Sequence, residues 1–408
     1  MAHVASEMKR RGLSQPLLIG GATTSEIHTA VKIEPSYDKP VVHVKDASKA
    51  AGVIASLLDN AQKAQYAARV AAKYEELRRE HSAGDKKGSL LTLEKARSNR
   101  FVPSGEGYSP PRPLRPGIHV FNEFSLEELT GYIDWTFFFF AWKLNGKYPS
   151  VFDDPVKGEE ARKLFNDAAK TLNLIRERVI IKSKGVAGIF PAASSGDDVI
   201  VYSGEERSEP AATLHFLRNQ ELKEKGAPNL CLSDFIAPSG SGTDDYIGAL
   251  VTSVFIDEKK MEEFRNDDYT TIMIRILADR LAEASAELLH KKMRQELWGF
   301  SPGEDLTAED LFKNAFRGIR PAPGYPACPD HTEKKTLFQL LDAEKNTGTT
   351  LTENFAMVPV SSVSAWVFSH PRSVYFNVGK IGEDQLKDYA ERKGMSINEA
   401  ARWLSPNL

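Results

Sequence analysis

The chain has 408 residues, 41% of them hydrophobic and 27% charged, with a net charge of −3. That length predicts two or three domains with a sizeable core, and the near-neutral charge without a basic stripe argues against nucleic acid. No apolar run approaches membrane-spanning length (Phe137–Phe140 is the greasiest patch), and the N-terminus lacks an apolar signal core, so a cytoplasmic protein is expected. Cys231 and Cys328 are the only cysteines and lie far apart. They exclude a disulfide framework, a multi-cysteine zinc site and a closely spaced iron–sulfur motif, and each reads as a small buried hydrophobe.

Residues 16–60 alternate strand and helix. Pro16–Ile19 is a short apolar run ending in Gly20-Gly21. Thr23, Thr24 and Ser25 offer capping hydroxyls for a helix through Ile33. Pro40–Val44 is a second strand and Ala47 to about Leu58 a second helix. This βαβα grammar belongs to a doubly wound parallel sheet, but two strands cannot bury both faces. The segment reads as an incomplete piece of a Rossmann-like domain. Ala61 to Ser82 is rich in helix formers, and Gly84 to Pro116 collects glycine, serine and proline as a tether. The expected division is 1–62, a linker over 63–118, and a globular 119–408.

Ser125–Glu128 has the pattern of a capping box. Asp134, in Ile-Asp-Trp-Thr-Phe-Phe-Phe-Phe, is embedded in aromatic surface and must be either partnered or functional. Val156 to about Lys182 reads as helix. Gly185–Pro191 and Asp198–Tyr202 read as a hairpin whose glycines mark close packing. No Gly-x-Gly-x-x-Gly loop follows a strand, which disfavours an ordinary Rossmann methyltransferase.

Thr270 to about Trp298 is the clearest helix. Ile274, Leu277, Leu281, Ala284 and Leu288 form its buried stripe, and Asp279, Glu283 and His290 are expected opposite, on a solvated or docking face. Next, Pro321, Pro323, Pro326 and Pro329 force the stretch from Arg320 to His331 into a stiff loop. Gly324 stands where the backbone bends, and Tyr325 offers a flat face. Arg320 presents a planar fork suited to a carboxylate. Such a loop fits a small zwitterionic ligand with a ring, and equally a rigid connection. Lys335 to about Glu344 is helical. Phe355–Val360, Val363–Phe368 and Ser373–Val378 read as strands, and Ser396–Glu399 opens a last helix. With the hairpin, these strands predict an α+β domain with a twisted antiparallel sheet and surrounding helices.

Several of these blocks together resemble the C-terminal part of cobalamin-dependent methionine synthases. They are Arg-Pro-Ala-Pro-Gly-Tyr-Pro at 320–326 with Pro-Asp-His-Thr-Glu-Lys at 329–334, Asp134-Trp135, Leu232–Pro238, Tyr375-Phe376, and Gly20–Ser25 with His28–Ile33. The resemblance implies an S-adenosylmethionine-binding activation domain preceded by the tail of a cobalamin-binding domain. It implies that Asp134, Arg320, Ala322, Gly324, Tyr325, Tyr375 and Phe376 contact S-adenosylmethionine, and that Ala47 contacts cobalamin. Many members carry proline where this chain has Phe137.

In that family a methyl group passes from methyltetrahydrofolate to homocysteine through cobalamin. Oxidised cob(II)alamin is restored by reduction from a flavodoxin-type or flavoprotein donor and methylation from S-adenosylmethionine. The resemblance places the folate site, the zinc-dependent homocysteine site and most of the cobalamin site outside this stretch. The expected partner is a cobalamin-binding domain. An alternative is a non-catalytic docking module that works with a separate cobalamin protein.

Overall fold

The computed structural model describes all residues except 21–24, 45–49, 60–62, 86–89, 103–108 and 225. Ala47, the expected cobalamin contact, therefore lies outside the described residues, as do Thr23 and Thr24. The chain divides into two compact units, Met1–Ser89 and Leu90–Leu408.

The first unit contains α1 (Ala2–Arg10), β1 (Leu17–Gly20), β2 (Val41–Val44), α2 (Ala50–Leu58) and α3 (Lys63–Asp85). β1 and β2 pair in parallel, with Leu17 opposite Val41. Ser25 caps the turn that follows β1, its hydroxyl accepting from the His28 N–H at 3.1 Å. Alternation of side chains along the strands sends Ile19 and Val41 to one apolar cluster and Val42 and Val44 to another, so each face of the pair is covered, contrary to the expectation that two strands would leave a face unburied. Residues 63–85, expected to begin the linker, form a helix packed on this unit. The His43 N–H donates to the Tyr74 hydroxyl at 2.7 Å, and Arg78 donates to the Ala30 carbonyl at 2.9 Å.

The second unit begins with α4 (Leu93–Ser98), β3 (Gly117–Phe121), α5 (Leu126–Thr130), α6 (Trp135–Ala141) and α7 (Gly158–Arg178). Its sheet adds β4 (Ile181–Ser195), β5 (Asp198–Tyr202), β6 (Pro210–His215) and β7 (Asp245–Ile256). Then come α8 (Asp268–Lys292), α9 (Glu333–Leu340), β8 (Thr350–Leu351), β9 (Met357–Val358), β10 (Ser362–Val367), α10 (Glu383–Lys393) and α11 (Ile397–Trp403). The strand order is β10-β7-β4-β5-β6, with β3 also on β4 and every pairing antiparallel. This is the expected α+β architecture. The segment leading into it is also packed: the Leu91 N–H donates to the Gln220 carbonyl at 2.8 Å, and Phe101 is buried.

Both faces of the sheet are covered. Along β7, Tyr246, Leu250 and Val254 join one core with α8, while Ile247, Ala249 and Val251 join a second core with α9. Burial on both sides explains the glycines of β4: a Cβ at Gly185 would lie 2.8 Å from Phe124 Cε2. The predicted stripe of α8 is buried throughout, each large side chain contributing about 2 kcal/mol.

Three expectations change. Ser125 precedes α5 but makes no side-chain cap bond. Residues 373–378 form no strand. The stretch follows a turn at Pro371-Arg372 and is tied instead by the Val378 N–H to the Pro326 carbonyl of the proline-rich loop, and the alternation of Val374, Phe376 and Val378 mimics a strand's period of two. His290, expected on the solvated side of α8, is fully buried, because the helix loses its solvent face toward its C-terminus, where the proline-rich loop and Phe316 cover it.

Candidate functional site

The proline-rich loop is pinned from three sides. At its start, the Ile319 N–H and carbonyl exchange bonds with Phe368, and the Trp366 N–H donates to the Pro321 carbonyl at 3.0 Å, which extends the edge of β10. In the middle, the Gly324 N–H donates to the Cys328 carbonyl at 2.7 Å, and the Cys328 N–H returns a bond to the Tyr325 carbonyl at 2.9 Å. Gly324 sits at φ +94°, and a Cβ there would lie 2.3 Å from His331 Cε1, so only glycine closes this turn. At its end, Asp330 accepts from the Thr332 N–H at 2.7 Å, from the Tyr389 hydroxyl at 2.6 Å and from Lys393 Nζ at 2.7 Å. Burial alone would raise the Asp330 pKa, but Lys393 and these donors hold it below the usual value.

The loop carries Arg320, Ala322, Gly324 and Tyr325 of the expected residues and brings Arg320 to Tyr375. The Arg320 N–H donates to the Tyr375 hydroxyl at 3.0 Å. The Tyr325 N–H closes a turn on the Ala322 carbonyl at 3.2 Å. Tyr325 and Tyr375 remain 64% and 44% exposed as whole residues. Ala322 packs on the α8 core, and the half-buried Phe376 packs on the second core and on the α10–α11 cluster.

The Arg320 side chain turns inward to an unanticipated partner, Glu287 of α8, which is 8% exposed and paired to it directly. Burial works against the Arg320 charge, and Glu287, Tyr375 and Glu283 outweigh it, so its pKa is raised. Burial pushes the Glu287 carboxyl up, opposed by Arg320 and Arg294. One turn on, His290 receives a bond from Arg294 at 2.8 Å, and burial with both arginines drives its pKa well below the ordinary value, leaving it neutral. Arg294 in turn pairs with Glu304 and stacks over Phe316 at 4.6 Å. Within this buried cluster Arg320 Nε, Glu287 Oε2 and His290 Nε2 have no hydrogen-bond partner among the described residues. Unpaired buried polar atoms are costly, so three of them in one cluster call for a partner. Glu287 was legible in principle: it recurs three residues after Ala284, so its carboxylate lies on the buried stripe and demands a partner.

Asp134 stands apart from this cluster. It is half-buried and caps α6, its Oδ1 accepting from the Thr136 N–H at 2.9 Å and the Phe137 N–H at 3.4 Å. Among the described residues no hydrogen bond links it to Arg320 or Tyr375. Phe137 is exposed and lies under the Arg280 guanidinium of α8 at 6.0 Å.

Neither thiol is reactive: burial pushes Cys231 up to about 12 and Cys328 well above the ordinary value. Among the described residues no group of His, Cys, Asp and Glu could hold a metal ion, and no helix is long and apolar enough to cross a membrane.

Comparison with known proteins places the fold in a family. The family model described as vitamin B12 dependent methionine synthase, activation domain, matches residues 125–394. The structure is similar to a crystal structure of the MetH reactivation domain bound to AdoHcy, with a TM-score of 0.75 and 48% identity over 78% of this chain and 98% of that one. The chain therefore belongs to the vitamin B12 dependent methionine synthase family and carries its activation domain.

Proposed function

We propose that the second unit binds S-adenosylmethionine at the Arg320 cluster and presents it for reductive methylation of cob(II)alamin, regenerating methylcobalamin. The observation that carries this reading is the buried Arg320–Glu287 pair, whose Nε and Oε2 lack partners among the described residues, with the Tyr375 hydroxyl on the Arg320 backbone. An unpaired donor and an unpaired acceptor within one ion pair fit the carboxylate and ammonium of an amino-acid ligand in kind. The AdoHcy carried by a solved relative at 48% identity is the demethylated form of the same molecule.

In this reading Arg320 holds the ligand carboxylate through charge-assisted bonds. The backbone of Ala322 to Tyr325, fixed by Gly324, frames the ribose and adenine, with Tyr325 and Tyr375 stacking on the ring. Asp134 keeps Oδ1 on the α6 N-terminus and offers Oδ2 as an acceptor at the site's edge, while Phe376 braces Tyr375 from behind. Bound S-adenosylmethionine supplies an electrophilic sulfonium methyl group. The chain's residues bind and orient it, and none is required as a general acid or base, so their contribution is positioning. The methyl acceptor would be reduced cobalt on a cobalamin-binding domain, with electrons from a flavodoxin-type or flavoprotein donor. Ala47 is assigned to the cobalamin contact on resemblance alone, and zinc belongs with the homocysteine site of the family.

The test supplies the full chain with a methionine synthase cobalamin-binding domain in the cob(II)alamin state, a reductant and methyl-labelled S-adenosylmethionine. Label is expected in methylcobalamin, and Arg320→Ala should remove it. Transfer that is indifferent to Arg320→Ala would sink the site assignment. Ligand binding without any transfer would reduce the chain to a docking module.

A further inference from the structure

Arg320 does not face its ligand as a lone cation. Its guanidinium is already neutralised by Glu287, and a second cation acting on Glu287, Arg294, is neutralised by Glu304. His290 is neutral, and Tyr375 and the exposed Glu283 are the other ionisable groups that act most strongly on Arg320. The buried part of the cluster is therefore closed in charge before any ligand arrives.

Closed charge has a consequence for selectivity. A ligand end carrying both a carboxylate and an ammonium adds no net charge to a buried site. A bare carboxylate would leave an uncompensated negative charge there, and a bare ammonium an uncompensated positive one, each expensive away from water. Had Arg320 stood without Glu287, a simple carboxylate would have been its natural partner. We propose that Glu287 is a specificity-determining residue, making the Arg320 site select the zwitterionic end of an α-amino acid over a simple carboxylate. Discrimination arises from what the site rejects as much as from what it holds. The unpaired Oε2 of Glu287 is an acceptor on the Arg320 pair itself that matches the ammonium, beside the Asp134 Oδ2 already assigned to the site's edge. The inference rests on the reading of this cluster as the S-adenosylmethionine site.

The experiment is a calorimetric titration of the full chain with three probes: S-adenosylhomocysteine, its analogue lacking the α-amino group, and its analogue lacking the α-carboxylate. Wild type is expected to bind the parent about tenfold or more tightly than the deaminated analogue, the scale of one charge-assisted bond. In Glu287→Gln, which keeps an acceptor for Arg320 and the side-chain shape, parent affinity should fall, deaminated affinity should rise, and their ratio should approach one. The analogue without a carboxylate should remain weak in both proteins. An unchanged ratio in the variant, with both ligands weakened alike, would show that Glu287 only props up Arg320 and would overturn the proposal. Equal binding of the parent and deaminated probes to wild type would overturn it without any variant, so the test stands even if Glu287→Gln fails to fold. If no probe binds wild type, the site reading itself fails and the proposal falls with it.

Discussion

At the residue scale, burial decides which charges are informative. Arg320 was legible as a carboxylate fork because it leads a proline-fixed loop. Glu287 was not singled out, since a helix sequence shows periodicity but not which face a distant loop will cover. His290 was misplaced for the same reason. Asp245 shows how burial becomes pH dependence. It accepts from the Ala237 N–H at 2.8 Å and the Tyr246 N–H at 2.7 Å, yet burial, only partly offset by these bonds and by Arg207, pushes its carboxyl to about 7. The unfolded carboxyl titrates near about 3.9. Between those values the folded state holds a proton that the unfolded state has released, so this group's stabilisation is complete below about 4 and is lost as pH rises through about 7. His370, lowered to about 4 by burial, has the opposite sign, its contribution being lost as pH falls below about 6.5. Urea unfolding of wild type and Asp245→Asn across this range should therefore differ in slope, the variant lacking the decline toward pH 7. Parallel profiles would contradict the assignment.

At the element scale, the hairpin, the α8 stripe and the first parallel strand pair were readable because period and turn chemistry agree locally. The stretch 373–378 was not, because its extended form is imposed by the proline-rich loop beside it. That loop depends on Gly324. Gly324→Ala places a side chain at φ +94° and against His331, and should cost about 1–3 kcal/mol with loss of S-adenosylmethionine binding. A variant with wild-type melting and affinity would show that the turn is not tightly determined. Asp134 separates capping from ligand contact. Asp134→Ser preserves an N-cap, whereas Asp134→Ala should cost about 1 kcal/mol of stability. If Oδ2 serves the ligand, the serine variant will melt like wild type but bind S-adenosylmethionine more weakly.

At the scale of the whole molecule, the C-terminal helices are tied to the sheet by a buried ionic network as well as by apolar contact. Arg218 donates to Asp197 at 2.6 Å and to Asp234 at 2.7 Å, Arg97 bridges Asp197 and Asp388, and Arg392 joins Asp388 to Asp198. Sequence could not pair these residues, which come together only when the β4–β5 turn, the Leu232–Phe235 turn and α10 meet. Arg218→Met strands the buried Asp234 carboxylate, leaves Asp197 with Arg97 alone and should cost about 3–5 kcal/mol in urea unfolding. Removing the exposed Arg178–Glu263 pair by Arg178→Ala should change stability by less than about 1 kcal/mol. Comparable losses at the two sites would show that the network does not carry the fold.

The central claim, that the Arg320 cluster binds S-adenosylmethionine, is tested most directly by calorimetric titration of that ligand into the full chain and into Arg320→Ala. Saturable one-to-one binding by wild type, abolished in a variant that remains folded, is the expected result. Undiminished binding by Arg320→Ala would contradict the account.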